Sequence, residues 1–197
     1  MTDLPPDFFR QDVDTVARRL IGMTILVDGV GGRILETEAY DAADPASHSY
    51  AGRTARNAAM FGPVGHSYVY RIYGLHHCLN IVCGTAGSAV LIRALMPEQG
   101  LDRMRDRRGA ARKPVLLCAG PGRLCQALGI DLALDGHSLA APPFQLVDHG
   151  IKPPIVSGPR IGITRGTERS RRFGLSGTPG LSRPFPSKGT APQQEKP

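Results

Sequence analysis

The stretch Leu35-Glu-Thr-Glu-Ala-Tyr40 places two carboxylates and a phenol at every second position. In an extended strand Glu36, Glu38 and Tyr40 fall on one face, and Leu35, Thr37 and Ala39 on the other. Two readings are open for the acidic face. One is an ordinary solvated surface. The other is a pair of carboxylates aimed at a reacting bond, as the acid and base of glycoside hydrolysis are. Neighbours two apart on a strand stand roughly 6.5–7 Å apart, which is inverting spacing, yet both leave the strand in one direction and cannot easily flank a substrate.

The second feature is Tyr68-Val-Tyr-Arg-Ile-Tyr-Gly74, which holds three of the five tyrosines of a chain without tryptophan. A pleat running to its end puts Tyr68 and Tyr70 on one face and Val69, Arg71 and Tyr73 on the other. Tyr73 precedes Gly74 at an expected hairpin tip, and an exposed tyrosine beside arginine suits stacking on bases or wedging between them. Arg93 lies inside the apolar run Ala89–Leu95. A charge there needs a partner, and Glu38 or a phosphate would serve. By itself His48 reads as a surface histidine of a polar loop, and Asn80 as a strand-end amide. His76 and His77 are adjacent and point oppositely along a strand, which argues against a joint metal role.

Elements that would position these residues follow from periodicity. Val13, Val16, Ala17, Leu20 and Ile21 repeat at helical spacing after a capping Asp12 and before Gly22. Strands are expected over 23–27 and 34–40, joined through Asp28-Gly29 and the glycine pair 31–32, with a bulge. Residues 41–66 read as a long irregular loop, a length uncommon without a functional reason. Further strands are expected over 68–73, 76–83 and 89–95, with short ones at 144–147 and 160–163. A charged helix follows Pro97, and another enters through Pro121. The order suggests one α+β domain over residues 1–183 with a mainly antiparallel sheet. Residues 184–197 are too polar and proline-rich to order themselves.

Composition narrows the classes. The 197 residues are 41% hydrophobic and 21% charged, as in an ordinary globular protein. No apolar run approaches the roughly 18 residues of a membrane helix, and the start lacks the pattern of a signal peptide. A cytoplasmic protein is the expectation. The four cysteines show no metal-ligand spacing, so neither a metal nor a disulfide framework is expected. Residues 1–90 carry 7 basic and 9 acidic side chains, whereas residues 91–197 carry 17 and 8. A basic second half suits a polyanion such as nucleic acid, although 20 arginines against 4 lysines also fit a GC-rich genome.

Six segments together resemble one family over about residues 8–183: LETEAY (35–40), HSYAGRTARN (48–57), MFGPVGHSYVYRIYGLHHCLNIV (60–82), LIRALMP (91–97), GPGRLCQALGI (120–130) and GPRIGI (158–163). In this order they resemble the 3-methyladenine (alkylpurine) DNA glycosylases. The resemblance implies a single mixed domain with a central antiparallel sheet, surrounding helices and a protruding DNA-inserting β-hairpin. It implies a monomer that needs no cofactor, flips damaged purines out of double-stranded DNA and hydrolyses the N-glycosidic bond.

By position, Glu38 matches the general base that activates water, and Arg93 the arginine that helps hold the water and the nucleotide backbone. Tyr40, His48 and Tyr70 match the aromatic walls around the base, and Asn80 the pocket floor that would hinder a 2-amino group. Tyr73 matches the side chain that fills the gap in the duplex. Arg112, Lys113 and Arg123 are candidates for phosphate contacts. The pocket segments hold no lysine, which argues against a Schiff-base step. The chain departs from the family pattern at Arg169 and Gly180, where tryptophans are expected, so packing there is expected to differ.

Overall fold

The computed structural model describes residues 4–5, 7–109 and 113–186. Its first helix, α1 (Val13–Leu20), starts where the Asp12 side chain accepts the Thr15 N–H at 2.9 Å. Such a cap contributes about 1 kcal/mol. The helix buries Val13, Val16, Ala17 and Leu20 on one face. Its last turn gives way to Gly22 at φ +89°, a conformation that suits glycine at a helix stop.

Strands β1 (Thr24–Val27) and β2 (Val30–Tyr40) form a hairpin. Asp28 and Gly29, at φ 50° and 72°, supply the two positive φ values of a tight hairpin turn. The glycine pair expected in the connection lies inside β2 instead. A Cβ on Gly31 would stand 2.0 Å from the Ile25 carbonyl oxygen, and one on Gly32 1.9 Å from that of Met96. These glycines allow close backbone approach, and the register shifts between them.

Strands β3 (Ser67–Ile72), β4 (His76–Val82), β5 (Ala89–Gln99), β6 (Phe144–Val147), β7 (Ile155–Gly158) and β8 (Arg172–Leu175) complete the sheet. Its main order is β3-β4-β5-β2-β1-β6, and β8 pairs with both β2 and β7. Every pairing is antiparallel. Strand β2 is central: β5 lies along one side, and β1 then β8 along the other. Helices α2 (Leu101–Arg108) and α3 (Pro121–Leu128) join α1 over the core. Leu124, Cys125 and Leu128 pack in one cluster with Val16, Leu20, Ile34, Leu79, Ile81 and Ile92. Thr37 donates its hydroxyl to the Ala17 carbonyl at 2.9 Å, which ties β2 to α1.

The fold is thus a single mixed α/β domain, as expected, with two corrections to its elements. No strand forms over 160–163; β7 lies just before it. The Ile161 N–H is spent on the Glu38 carboxylate at 2.8 Å, and Gly162 at φ +77° breaks any extended run. Strand β3 also stops at Ile72, because Tyr73 takes φ 52°. The pleat therefore does not continue to Tyr73, and the expected face assignment for that residue fails.

At the departures from the family pattern, Gly180 has φ +93°, and a Cβ there would meet Val115 at 2.8 Å. Arg169 stands beside Glu168 at 3.6 Å. Phe185, placed by sequence in the tail, lays its ring 3.9 Å from the Arg172 guanidinium carbon. The rest of the expected tail, from 187 onward, lies outside the described residues. Among the described residues, no helix is long and apolar enough to cross a membrane.

Candidate active site

The acidic face of β2 is not solvated. Glu36 and Glu38 are both fully buried, which overturns the surface reading of that face. Burying two carboxylates is costly unless each is paired and hydrogen-bonded. Arg93 supplies the shared partner, through Nε to Glu36 Oε1 and Nη1 to Glu38 Oε2, both at 3.0 Å. Its place follows from an irregularity in the ladder: Glu36 faces Ala94 and Thr37 faces Ile92, so Arg93 is the extra residue of β5. A bulge of this kind re-aims a side chain.

Arg172, on β8, balances the second carboxylate with Nε 2.7 Å from Glu36 Oε1. Two buried carboxylates thus meet two buried guanidiniums. For Arg93, burial alone would weaken its hold on a proton, but Glu38 and Glu36 raise its pKa above the ordinary value. Glu36 also accepts from the Ser182 amide and hydroxyl. With that crowd of donors, Glu36 is not free to act as a second acid or base, and the glycoside-hydrolase arrangement built on Glu36 and Glu38 is excluded.

Glu38 has a different set of partners. Oε1 accepts the Ile161 N–H at 2.8 Å, and Oε2 accepts both Arg93 Nη1 and the Tyr40 hydroxyl, the latter at 2.8 Å. A carboxylate has about four acceptor positions, so one is left. Burial and the adjacent Glu38 charge push the Tyr40 phenol far above its ordinary pKa, which keeps it a donor. On Tyr40 lies a further cation: the Arg160 guanidinium carbon sits 4.6 Å from the ring centroid. Arg160 is held by a bidentate contact to buried Asp44.

Tyr40 and Arg93 open onto a cavity of about 370 Å³, whose other walls include His48, Tyr70, Cys78 and Asn80. Glu38 stands behind Tyr40, Arg93 and Ile161 rather than on the cavity surface. His48 and Tyr70 meet edge to face, centroids 4.5 Å apart, so they form one wall together. Burial, with Arg56 nearby, lowers the His48 pKa and favours the neutral ring. His48 Nδ1 lies 2.9 Å from the Tyr68 hydroxyl oxygen. Tyr68 is buried and also borders the cavity.

Asn80 donates from Nδ2 to the Tyr68 carbonyl at 3.0 Å, which orients the amide. The 41–66 loop carries His48 to the wall through another amide. Asn57 Nδ2 donates to the His48 carbonyl at 2.8 Å and to the Gly52 carbonyl at 3.0 Å.

Tyr73 is 85% exposed, yet its ring borders the mouth of the same cavity. The left-handed residue that ends β3 is what turns it there. Leu75, across Gly74, is 78% exposed. Lys113 and Arg123 are exposed but lie outside the cavity wall, and Arg123 donates to the Ala119 carbonyl. Arg112 lies outside the described residues. Sequence reasoning missed Arg160 with Asp44, and Arg172 with Ser182. The one available signal was charge balance, since Arg93 alone cannot neutralise two buried carboxylates. Among the described residues no group of three or more His, Cys, Asp or Glu is placed to hold a metal ion.

An aromatic cavity backed by a buried carboxylate and arginine has the shape and polarity to take a flat, polar ligand. The family model for methylpurine-DNA glycosylase matches residues 7–179. A protein of Nitrosospira multiformis is 58% identical over 181 residues, covering 91% of this chain and 93% of its own length. One of Rhodopseudomonas palustris is 56% identical over 182 residues, covering 90% and 89%. One of Rhizobium meliloti is 55% identical over 179 residues, covering 91% and 96%. Each carries a provisional name as a 3-methyladenine DNA glycosylase. The chain belongs to the methylpurine-DNA glycosylase family. It is a DNA glycosylase, a hydrolase of N-glycosyl bonds that works in base excision repair.

Proposed function

We propose that the chain excises alkylated purines of the 3-methyladenine type from duplex DNA, flipping the base into the aromatic cavity and leaving an abasic site. The observation that carries this reading is Glu38, held by Arg93 and Tyr40 directly behind that cavity. The cavity, at about 370 Å³, falls in the roughly 300–1,000 Å³ range of small-ligand pockets. Tyr40 forms one wall against the flipped base, and His48 with Tyr70 the other. Asn80 forms the floor, where a purine 2-amino group would be crowded.

Flipping costs a few kcal/mol, and each base–aromatic stack returns roughly 1–3 kcal/mol. A 3-methyladenine base in DNA is cationic, so electron-rich tyrosine faces favour it over adenine. A neutral His48 adds no repulsion. Tyr73, exposed at the hairpin tip, enters the minor groove and fills the gap left by the base.

The remaining acceptor position of Glu38 holds the attacking water. As the water oxygen bonds to the sugar C1′, its proton passes to Glu38, and the C1′–N electron pair leaves with the base. A cationic base departs neutral and needs no proton donor. Arg93 helps fix the water and the nucleotide backbone. The step is hydrolysis alone, without a covalent enzyme intermediate. Lys113 and Arg123, with Arg112, make phosphate contacts, and one copy of the chain suffices for a single lesion in the cell's nucleoid.

The test is release of free base from methylated duplex DNA by the wild-type chain and by Glu38→Gln. The reading expects release by the wild type and its near loss in the variant. Equal release by both overturns the mechanism. DNA binding with no release by either favours a noncatalytic binding module.

A further inference from the structure

The residues after β8 reach both the cavity, which Arg183 lines, and the buried charge cluster beside it, which Ser182 contacts. Ser182 donates twice to Glu36, from its amide to Oε2 at 2.5 Å and from its hydroxyl to Oε1 at 2.7 Å. The same hydroxyl oxygen accepts from Arg93, with Nε at 3.3 Å and Nη2 at 3.2 Å. A serine hydroxyl has one proton and two lone pairs. All three are committed to the Glu36–Arg93 pair.

Arg172 fastens the backbone that follows. While its Nε holds Glu36, its Nη2 and Nη1 donate to the carbonyls of Arg183 and Pro184. Phe185 then closes the strap over Arg172. Its ring occupies space that only a glycine at 174 leaves open, since a Cβ there would stand 2.5 Å from Phe185. Glu36, Arg172, Ser182 and Phe185 all lie off the cavity wall. What they control is the guanidinium of Arg93, whose Nη1 alone reaches Glu38.

We infer that Ser182 is a positioning residue, which with Glu36 and Arg172 locks the Arg93 guanidinium so that Nη1 stays on Glu38 Oε2. This rests on the glycosylase reading of Glu38 and Arg93. The hydroxyl takes the Nε and Nη2 side of the guanidinium and leaves the Nη1 edge for catalysis. The lock reaches the site only when a segment 144 positions beyond Glu38 has packed. A merely structural strap would instead set stability and leave the turnover of folded molecules unchanged.

The test uses the full chain with Ser182→Ala and Ser182→Thr, both checked for folding by circular dichroism. Three quantities are read: the single-turnover rate of 3-methyladenine release, affinity for duplex DNA bearing a tetrahydrofuran abasic analogue, and water exchange of the Arg93 Nε–H by nitrogen-resolved NMR. Ser182→Ala is expected to lower the rate about 10- to 100-fold, the scale of a small misplacement, with affinity changed less than about twofold. Ser182→Thr, which keeps the hydroxyl, restores the rate. Exchange at Arg93 Nε rises severalfold in the alanine variant.

Wild-type rate in Ser182→Ala overturns the inference, as does a threonine variant as slow as alanine, or rate and affinity falling together. If the alanine variant does not fold, Phe185→Ala, which loosens the strap at a residue off the cavity wall, carries the same expectations and the same refutations. The exchange measurement needs no DNA. An inactive wild-type chain therefore counts against the glycosylase reading, whereas unchanged Arg93 exchange counts against the lock.

Discussion

Arg93 Nη1 meets Glu38 Oε2 at 3.0 Å inside the protein, with the Glu38 side chain wholly shielded and Arg93 7% exposed. The pair is not an isolated salt bridge. Its second oxygen is held by the Ile161 amide and its second nitrogen edge by Ser182. Charge that is buried and held from several sides resists reorganisation, which is what a reaction passing through a charged transition state requires.

Replacing Glu38 by Gln keeps the shape of the site and removes the proposed proton acceptor. General base catalysis typically contributes 10²–10⁴-fold. The single-turnover release of 3-methyladenine is therefore expected to fall by about that factor. Affinity for abasic-analogue DNA, measured by fluorescence anisotropy, should stay within severalfold of the wild type.

Tyr73 sits at φ 52°, where a side chain is strained and glycine is not. Tyr73→Gly is expected to leave the melting temperature unchanged or slightly raised. Binding to abasic-analogue DNA should weaken by about 1–3 kcal/mol, the scale of one lost stack. Equal affinity of variant and wild type in a titration refutes the wedge role.

Asp44 and Arg160 are both wholly buried, so Asp44→Ala leaves an uncompensated guanidinium under the Tyr40 ring. The expected loss of stability is about 3–5 kcal/mol in a denaturant titration. Burial alone would raise the Asp44 pKa, but the Arg160 hydrogen bonds bring it below the ordinary value of 3.8. A carboxyl depressed by folding adds stability that is whole above its unfolded pKa and is lost as pH falls through the folded one. The wild type should therefore show an acid-unfolding component below about pH 3.8 that Asp44→Ala lacks.

His48 titrates below its ordinary value of 6.5 because burial, and then Arg56, disfavours its charged form. The unfolded chain takes up that proton more readily, so the contribution of His48 to stability is present above about pH 6.5 and lost as pH falls. Ring-proton NMR should place the midpoint below 6.5 in the wild type and nearer to it in Arg56→Gln. A cationic lesion should also bind less well once His48 is protonated.

Local pattern was enough for much of the frame. Asp12 and the spacing of Val13, Val16 and Leu20 mark α1, Pro121 marks the start of α3, and two-residue alternation over 35–40 marks β2. These signals lie within a few neighbours along the chain, where helix and strand periods act. The motifs around Glu38, Tyr70 and Arg93 likewise carried the family, because they are contiguous.

Tertiary structure alone decided the environment of those residues. The sequence of β2 allows Glu36 and Glu38 to face water; β8 and the Ser182 strap bury them, and burial turns Glu36 into a fixed partner and leaves Glu38 one open position. Tyr73 changed sides because one left-handed residue ended β3, a choice set by the turn rather than by alternation. Arg160 was expected in a strand and became instead the cation beneath Tyr40, since Asp44 lies 116 positions away in the chain and only folding brings the two together. Periodicity sees neighbours, whereas buried charge must be balanced by whatever the fold delivers, and in this protein the balance comes from the far end of the chain.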